Sequence, residues 1–245
     1  MPNLDWNKET WDRSYEWTDA GDEWSGPWGS SKAEWFATIL PRIGSFVPAD
    51  SILEVAPGFG RWTQFLLKWT DHYCGVDLSD KCVSACRERF SYRDKAHFFL
   101  NDGMSLECVA GRQFDLIFSF DSLVHADFDV IAAYIRQIVP LLSTDGVSFI
   151  HHSNLAAVPG KSTGHRSETV SGDIVAQLVR SSGGRVLIQE QVAWEDDLLS
   201  DCYTLFCREG SFTSFDPLSF SDPKSLGLEI TSARETFQHY LKIKG

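Results

Sequence analysis

With 245 residues and 43% apolar content, the chain is long enough to bury one full core with additions to it. A formal net charge of −12 argues against a nucleic-acid backbone or an anionic membrane as its main partner. The six cysteines form no C-x-x-C pair or zinc spacing, and no apolar run reaches spanning length. Without a basic, apolar leader at its start, the chain is expected in a reducing cytoplasm.

Residues 1–50 carry Trp6, Trp11, Trp17, Trp24, Trp28 and Trp35 among many acidic and polar side chains. Such a stretch reads as an arm whose indoles anchor it to the core. It also reads as a lid or a platform for a sugar ring, with Trp24 and Trp28 as candidate substrate contacts. Ser31-Lys32-Ala33-Glu34 has the pattern of a capping box opening a helix, which Pro41 should kink or end.

Ser51–Thr63 reads SILEVAPGFGRWT. Ile52, Leu53 and Val55 suit a strand buried on both faces. Gly58 and Gly60 then permit a tight turn and close backbone approach to a ligand. Trp62, Phe65, Leu66 and Trp69 follow at helical spacing. Strand, glycine turn and helix make the first half of a nucleotide site, and Asp77, ending the next apolar run, stands at the distance suited to ribose hydroxyls. A dinucleotide site wants a third glycine where Thr63 stands, which disfavours NAD.

Ser79-Asp80 should cap a helix to about Phe90, and His97–Leu100 reads as a third strand ending in the turn Asn101-Asp102-Gly103. Phe114–Phe120 is the clearest strand, delivering Asp121 and His125 to the carboxyl edge where open α/β sheets hold ligands. Asp127 should cap a helix through Leu142, kinked near Pro140. Asp145-Gly146 then turns into a strand over Val147–Ile150. That strand brings His151 and His152 to the same edge, but neighbours on a strand face opposite ways, so both are not expected in one site. The loop holding Lys161, His165 and Arg166 reads either as solvated surface or as substrate contact. Ser171 should cap the next helix, and Arg185–Trp194 and Asp201–Cys207 should pair antiparallel across a short acidic turn. Residues 209–245 hold Phe212, Phe215, Phe220 and an expected short helix near Arg234–Leu241, docking on the core or on another subunit.

Glu54, Gly58 and Gly60 match the pattern E/D-x-G-x-G-x-G, and the segment resembles motif I of class I S-adenosylmethionine-dependent methyltransferases. Ala56 stands at the first glycine, implying ordinary φ there. GFGRWT, GVDLS, FSFDSLVH and FIHHSN together resemble bacterial methyltransferases of glycan and sugar-modification clusters. The resemblance spans roughly residues 50–208. It implies an α/β, Rossmann-like fold: a seven-stranded, mostly parallel sheet with an antiparallel last strand and helices on both faces. The arm (1–50) would precede this domain (51–208), and a C-terminal extension (209–245) would follow it. It further implies S-adenosyl-L-methionine as cofactor, held by Glu54, Ala56, Gly58, Gly60, Arg61, Asp77, Leu78, Asn101, Asp102, Gly103 and Phe120, with Asp102 on the adenine amino group.

The expected reaction is methylation of a sugar, glycan or similar polar hydroxyl. His125 is the candidate base, oriented by Asp121, with His151 and His152 as substitutes; Trp24, Trp28, His165 and Arg166 are candidate substrate contacts. A phosphate acceptor would need only cations such as Arg166, Lys161 or His165, and amine or carboxylate acceptors stay open. Different in class are an NAD-linked oxidoreductase and a non-catalytic carbohydrate-binding module. No metal is expected, although Asp121 and Asp127 have the oxygen ligands for Mg²⁺ with a sugar diol. The oligomeric state is not legible.

Overall fold

The computed structural model describes residues 2–163, 165–194 and 197–237. Its apolar runs become the strands β1 (Ser51–Val55), β2 (His72–Asp77), β3 (Ala96–Leu100), β4 (Phe114–Ser119), β5 (Leu142–Ser153), β6 (Gly184–Val192), β7 (Asp201–Arg208) and β8 (Leu218–Ser221). They form one sheet in the order β3-β2-β1-β4-β5-β7-β6-β8. Only β7 runs against the rest, pairing antiparallel with β5 and β6. The sheet thus has eight strands where seven were expected. The eighth comes from the C-terminal extension and adds parallel to β6. All four β8 residues are exposed, so no buried apolar face announces it in the sequence.

The helices are α1 (Leu4–Lys8), α2 (Ser31–Glu34), α3 (Leu40–Ile43), α4 (Thr63–Leu66), α5 (Asp80–Arg89), α6 (Phe128–Leu141), α7 (Gly172–Ser181) and α8 (Ser225–Ser232). Alternate strand residues enter two cores, as the pleat requires. Ile52, Leu116 and Phe118 join Trp35, Phe65 and Val83 from α4, α5 and the arm. Leu53 and Ile117 join Ile131, Ile135, Val175 and Val179 from α6 and α7 on the other face. The strand order reverses between β1 and β4, the place where such sheets open a crevice.

The caps Ser79, Asp127 and Ser171 accept from the amides of Cys82, Val130 and Ile174, as their positions predict. Other local expectations shift. The cap of α2 is Ser30, whose hydroxyl accepts from Ala33, while Ser31 donates to Asp22 instead. Glu34 is thereby moved out of the capping box and into the interior. Ahead of Pro41 the helix widens over Trp35–Ile39 before α3 begins, which accommodates the ring without breaking the chain's course. The helix after the glycine turn is a single turn, because Lys68 and Trp69 bond carbonyls three residues back and tighten it shut. Asp145-Gly146 lies inside β5 as an irregularity, where pairing jumps from Leu142 opposite Phe114 to Val147 opposite Leu116. A Cβ on Gly146 would sit 2.5 Å from the Phe114 carbonyl oxygen. Pro140 is taken up in the last turn of α6. The expected helix near Arg234 appears as α8 continued by a wide turn to Phe237, and positions 238–241 lie outside the described residues.

The arm and the extension meet. Trp28 and Ala33 pack with Leu226 and Ala233, and Arg42 bonds both Glu190 of β6 (2.6 Å) and Glu229 of α8 (2.7 Å). Among the described residues all six cysteines are unpaired, and no helix is long and apolar enough to cross a membrane.

Candidate active site

At the carboxyl ends of β1, β2 and β4 the arm roofs a cavity of about 520 Å³, a size suited to a small-molecule ligand. Its floor is the turn after β1. Gly58 has φ +57°, and its N–H donates to Asp77 Oδ2 at 3.0 Å, while Ser79 N–H reaches Oδ1 at 2.9 Å. Burial raises the Asp77 carboxyl to about 6 against the pull of these amides. Ala56 also lines the cavity, but with φ +58°, not the ordinary value expected from alanine. Its left-handed backbone is held from both sides, since its N–H donates to Val76 O and its carbonyl accepts from Ser122 Oγ, each at 2.8 Å.

Glu54 is one layer deeper. Fully buried, it accepts from Thr63 Oγ1 (2.6 Å) and Tyr73 OH (2.5 Å), and burial raises it to about 7. Thr63, which displaces the third glycine, therefore serves to tie the turn to β1. Gly60 also lies outside the wall, packed so that a Cβ would meet the Phe90 ring at 2.4 Å. On the far side of Asp77 the wall is Leu78 and Gly103. Asn101 and Asp102 are taken by the turn itself. Asn101 Oδ1 accepts from Gly103 N–H and its amide donates to Ser105 O; Asp102 Oδ1 accepts from Met104 and Ser105. The adenine contact expected of Asp102 is not supported by this position: it lies outside the cavity wall and is spent on amide bonds, which lower its pKa.

Beyond Phe120 the other end of the cavity is polar. Asp121, at φ +60°, pairs with Arg61 Nη2 at 2.6 Å and so does not orient His125. His125 is instead fixed through Nδ1, which donates to the His165 carbonyl oxygen at 2.9 Å, and Asn7 Nδ2 donates to the His125 carbonyl. That bond leaves Nε2 as the nitrogen with a lone pair. Burial lowers the His125 pKa, keeping the ring neutral. The two other candidate bases, His151 and His152, are both fully buried, face opposite ways on β5 and do not line the cavity, His151 lying behind Phe120 and Trp194. His151 accepts the Asp121 N–H at Nδ1 (3.2 Å) and meets Asp201 at Nε2 (2.9 Å). His152 bonds Ser153 O and Thr204 Oγ1, with burial pushing it down to about 4. With every ring nitrogen engaged, neither stands ready as a base. Arg166 lines the cavity and pairs with Asp201 at 2.6 Å. Burial alone would raise Asp201, but Arg166 and His151 outweigh it and hold it at about 2.

Trp24 lines the cavity, but Trp28 is buried between the arm and α8 with its Nε1 on Thr38, a packing role in place of the expected contact. The arm contributes more than was read from it: Leu4, Asn7, Trp11, Trp17 and Glu23 also face the cavity, as does Trp194 after β6. Trp17 stacks on Phe59 (4.7 Å between ring centroids), and a Cβ on Gly58 would come within 2.8 Å of it. The density of indoles in 1–50 is the signal for this roof, though it does not say which of them face inward. Asp127 is committed to capping α6 and Asp121 to Arg61, and no cluster of metal-ligating residues occurs among the described residues.

Residues 52–146 match the family model described as methyltransferase domain. Over this segment the chain is similar to methyltransferase domains. No curated protein sequence is a significant match to the chain. Among solved structures, a S-adenosylmethionine-dependent methyltransferase from Clostridium acetobutylicum superposes with TM-score 0.59 at 16% identity, covering 74% of this chain and 93% of that one. The CcbJ methyltransferase from Streptomyces caelestis gives 0.57 at 14%, covering 80% and 100%. The N-methyltransferase NodS from Bradyrhizobium japonicum, in complex with S-adenosyl-L-homocysteine, gives 0.57 at 14%, covering 82% and 95%. These likenesses establish the fold of the chain's α/β region. The residues at its cleft also fit a nucleoside donor. Asp77 lines the cavity, and each of its oxygens accepts one backbone N–H and keeps capacity for a hydroxyl donor.

Proposed function

We propose that the chain is a S-adenosylmethionine-dependent O-methyltransferase whose acceptor is a hydroxyl of a sugar, glycan or similar polar molecule. The donor supplies an electrophilic methyl on a sulfonium. Asp77 would accept its ribose hydroxyls, Gly58 would let the backbone approach it on the side where Trp17 packs, and Leu78 and Gly103 would flank the base. Holding donor and acceptor in line supplies on the order of 7–11 kcal/mol of the barrier. The observation that carries the acceptor reading is the bond from His125 Nδ1 to His165 O. It fixes the tautomer whose Nε2 takes the hydroxyl proton as the oxygen gains the methyl group. A neutral polyhydroxyl suits the remaining wall: Trp11, Trp24 and Trp194 offer ring faces, and both wall arginines are already paired with carboxylates. That pairing disfavours a phosphate acceptor.

Screening sugar, glycan and sugar-nucleotide acceptors for methyl uptake, with and without EDTA, tests this. His125→Ala should lower kcat about a hundred- to ten-thousandfold while S-adenosylhomocysteine affinity stays. A loss under tenfold would sink the base assignment. An amine is the second reading, favoured by the same ring faces beside Glu23, which also receive cations; NodS is an N-methyltransferase. Product analysis separates the two.

A further inference from the structure

Arg61 stands between two carboxylates. Its Nη2 bonds Asp121 at 2.6 Å, and its Nη1 lies 4.0 Å from Glu34 Oε2 and 3.4 Å from Ser25 Oγ. Glu34 is wholly buried, and neither of its oxygens has a hydrogen-bond partner among the described residues. Buried carboxyl groups almost always have partners, so this one calls for an explanation. The frame of α2 supplies half of it: with Ser30 as cap, Glu34 is turned inward, toward Arg61. Arg61 and Asp121 line the cavity, and Glu34 lies behind them. Asp121 itself is anchored independently of Arg61, because its N–H is held by His151 Nδ1 and its backbone is left-handed.

We propose that Arg61 has two seats, Asp121 and Glu34, and that its passage from the first to the second frees the Asp121 carboxylate to bind hydroxyls of the acceptor. With Arg61 on Asp121, Glu34 holds its proton in this scheme. Burial raises it to about 8, the Arg61 charge draws it down, and Asp121 and Asp22 push it back up. When Arg61 arrives, Glu34 gives that proton to solvent and becomes the counter-ion, while acceptor hydroxyls replace the guanidinium on Asp121. Glu34 is a positioning residue in this scheme and Asp121 a specificity residue. The last step rests on the hydroxylated acceptor proposed above; the two seats do not.

The test is a carboxyl NMR titration of protein labelled with ¹³C-glutamate, using Glu34→Gln to assign the Glu34 signal. Asp121→Asn removes the first seat's charge while keeping a residue that tolerates left-handed backbone, and Asp121→Gly is a second variant with the same tolerance. In folded protein, verified by S-adenosylhomocysteine binding, the Glu34 midpoint should fall by about one to three units, as for a carboxyl gaining a close guanidinium. Loss of the Asp121 charge alone also lowers Glu34, so Asp121→Asn is repeated in an Arg61→Gln background, where the fall should be clearly smaller. An unchanged midpoint in both variants, or an equal fall without Arg61, overturns the proposal. In the wild type with S-adenosylhomocysteine, a panel of methyl glycosides should lower the same midpoint. A fall in the variants with no response to any glycoside upholds the two seats and overturns the hydroxylated acceptor.

Discussion

Asp77 joins the turn after β1 to the cavity. Its oxygens hold the Gly58 and Ser79 amides and still have lone pairs, which we assign to the ribose of the proposed donor. Asp77→Ala loses bonds to a charged group, about 1.5–3 kcal/mol, so calorimetry should find S-adenosylhomocysteine bound roughly ten- to a hundredfold more weakly. Unchanged affinity in a folded variant would remove Asp77 from the site. Because its carboxyl is raised to about 6 by burial, wild-type affinity should also decline as pH falls through that value, and Asp77→Asn should not show that step. The place of Asp77 at the cavity was legible from its spacing. Asp102 was not, because an acid in an Asn-Asp-Gly turn serves the turn or a ligand with the same sequence, and only the amides of Met104 and Ser105 decide between them. Ala56 misled for a related reason: side-chain size does not reveal backbone strain that neighbouring hydrogen bonds impose.

Among the elements, the arm departs furthest from its sequence reading. The strands of the parallel sheet were plain from their apolar runs, since burial on both faces leaves little else permitted. The arm has short helices and few long apolar runs, so its course depends on contacts distant in sequence, such as Asn7 to His125 and Trp17 on Phe59. The roof is expected to respond to ligand. Lys8 and Arg13 are exposed, and bound S-adenosylhomocysteine should slow tryptic cleavage at both and change tryptophan emission through Trp11, Trp17 and Trp24. Equal protection with and without ligand would make the arm fixed packing. Register was the other illegible feature at this scale: a one-residue move of the α2 cap, from Ser31 to Ser30, turns Glu34 from a surface partner into a buried acid.

For the whole molecule the buried acids set an unusual pH dependence. Glu34 at about 8 and Glu54 at about 7 both stand above their unfolded value of 4.5, so above that value the native state holds protons that the unfolded chain has lost. Stability from these groups is fully present below 4.5 and is lost as pH rises through 7 and 8. His125 and His152 act oppositely, but only below 6.5, where unfolded histidines gain protons that these two resist. Between about pH 6.5 and 8 the acids act alone. Stability should therefore fall across this range by up to about 1.4 kcal/mol per pH unit for each retained proton, and thermal melts should show Tm falling with it. Glu34→Gln should flatten the slope; an equally steep fall in that variant would mean Glu34 is ionised throughout. A different consequence follows from Arg42, which ties the arm to Glu190 and Glu229. On the ribosome, the roof of the cavity is made first and its fastenings come 148 and 187 residues later. At roughly 5–20 residues per second those gaps last on the order of seven to forty seconds. Throughout it, the donor cleft can be built while its cover still hangs loose, so a nascent chain should pass through a stage that binds the donor weakly before it can hold it closed.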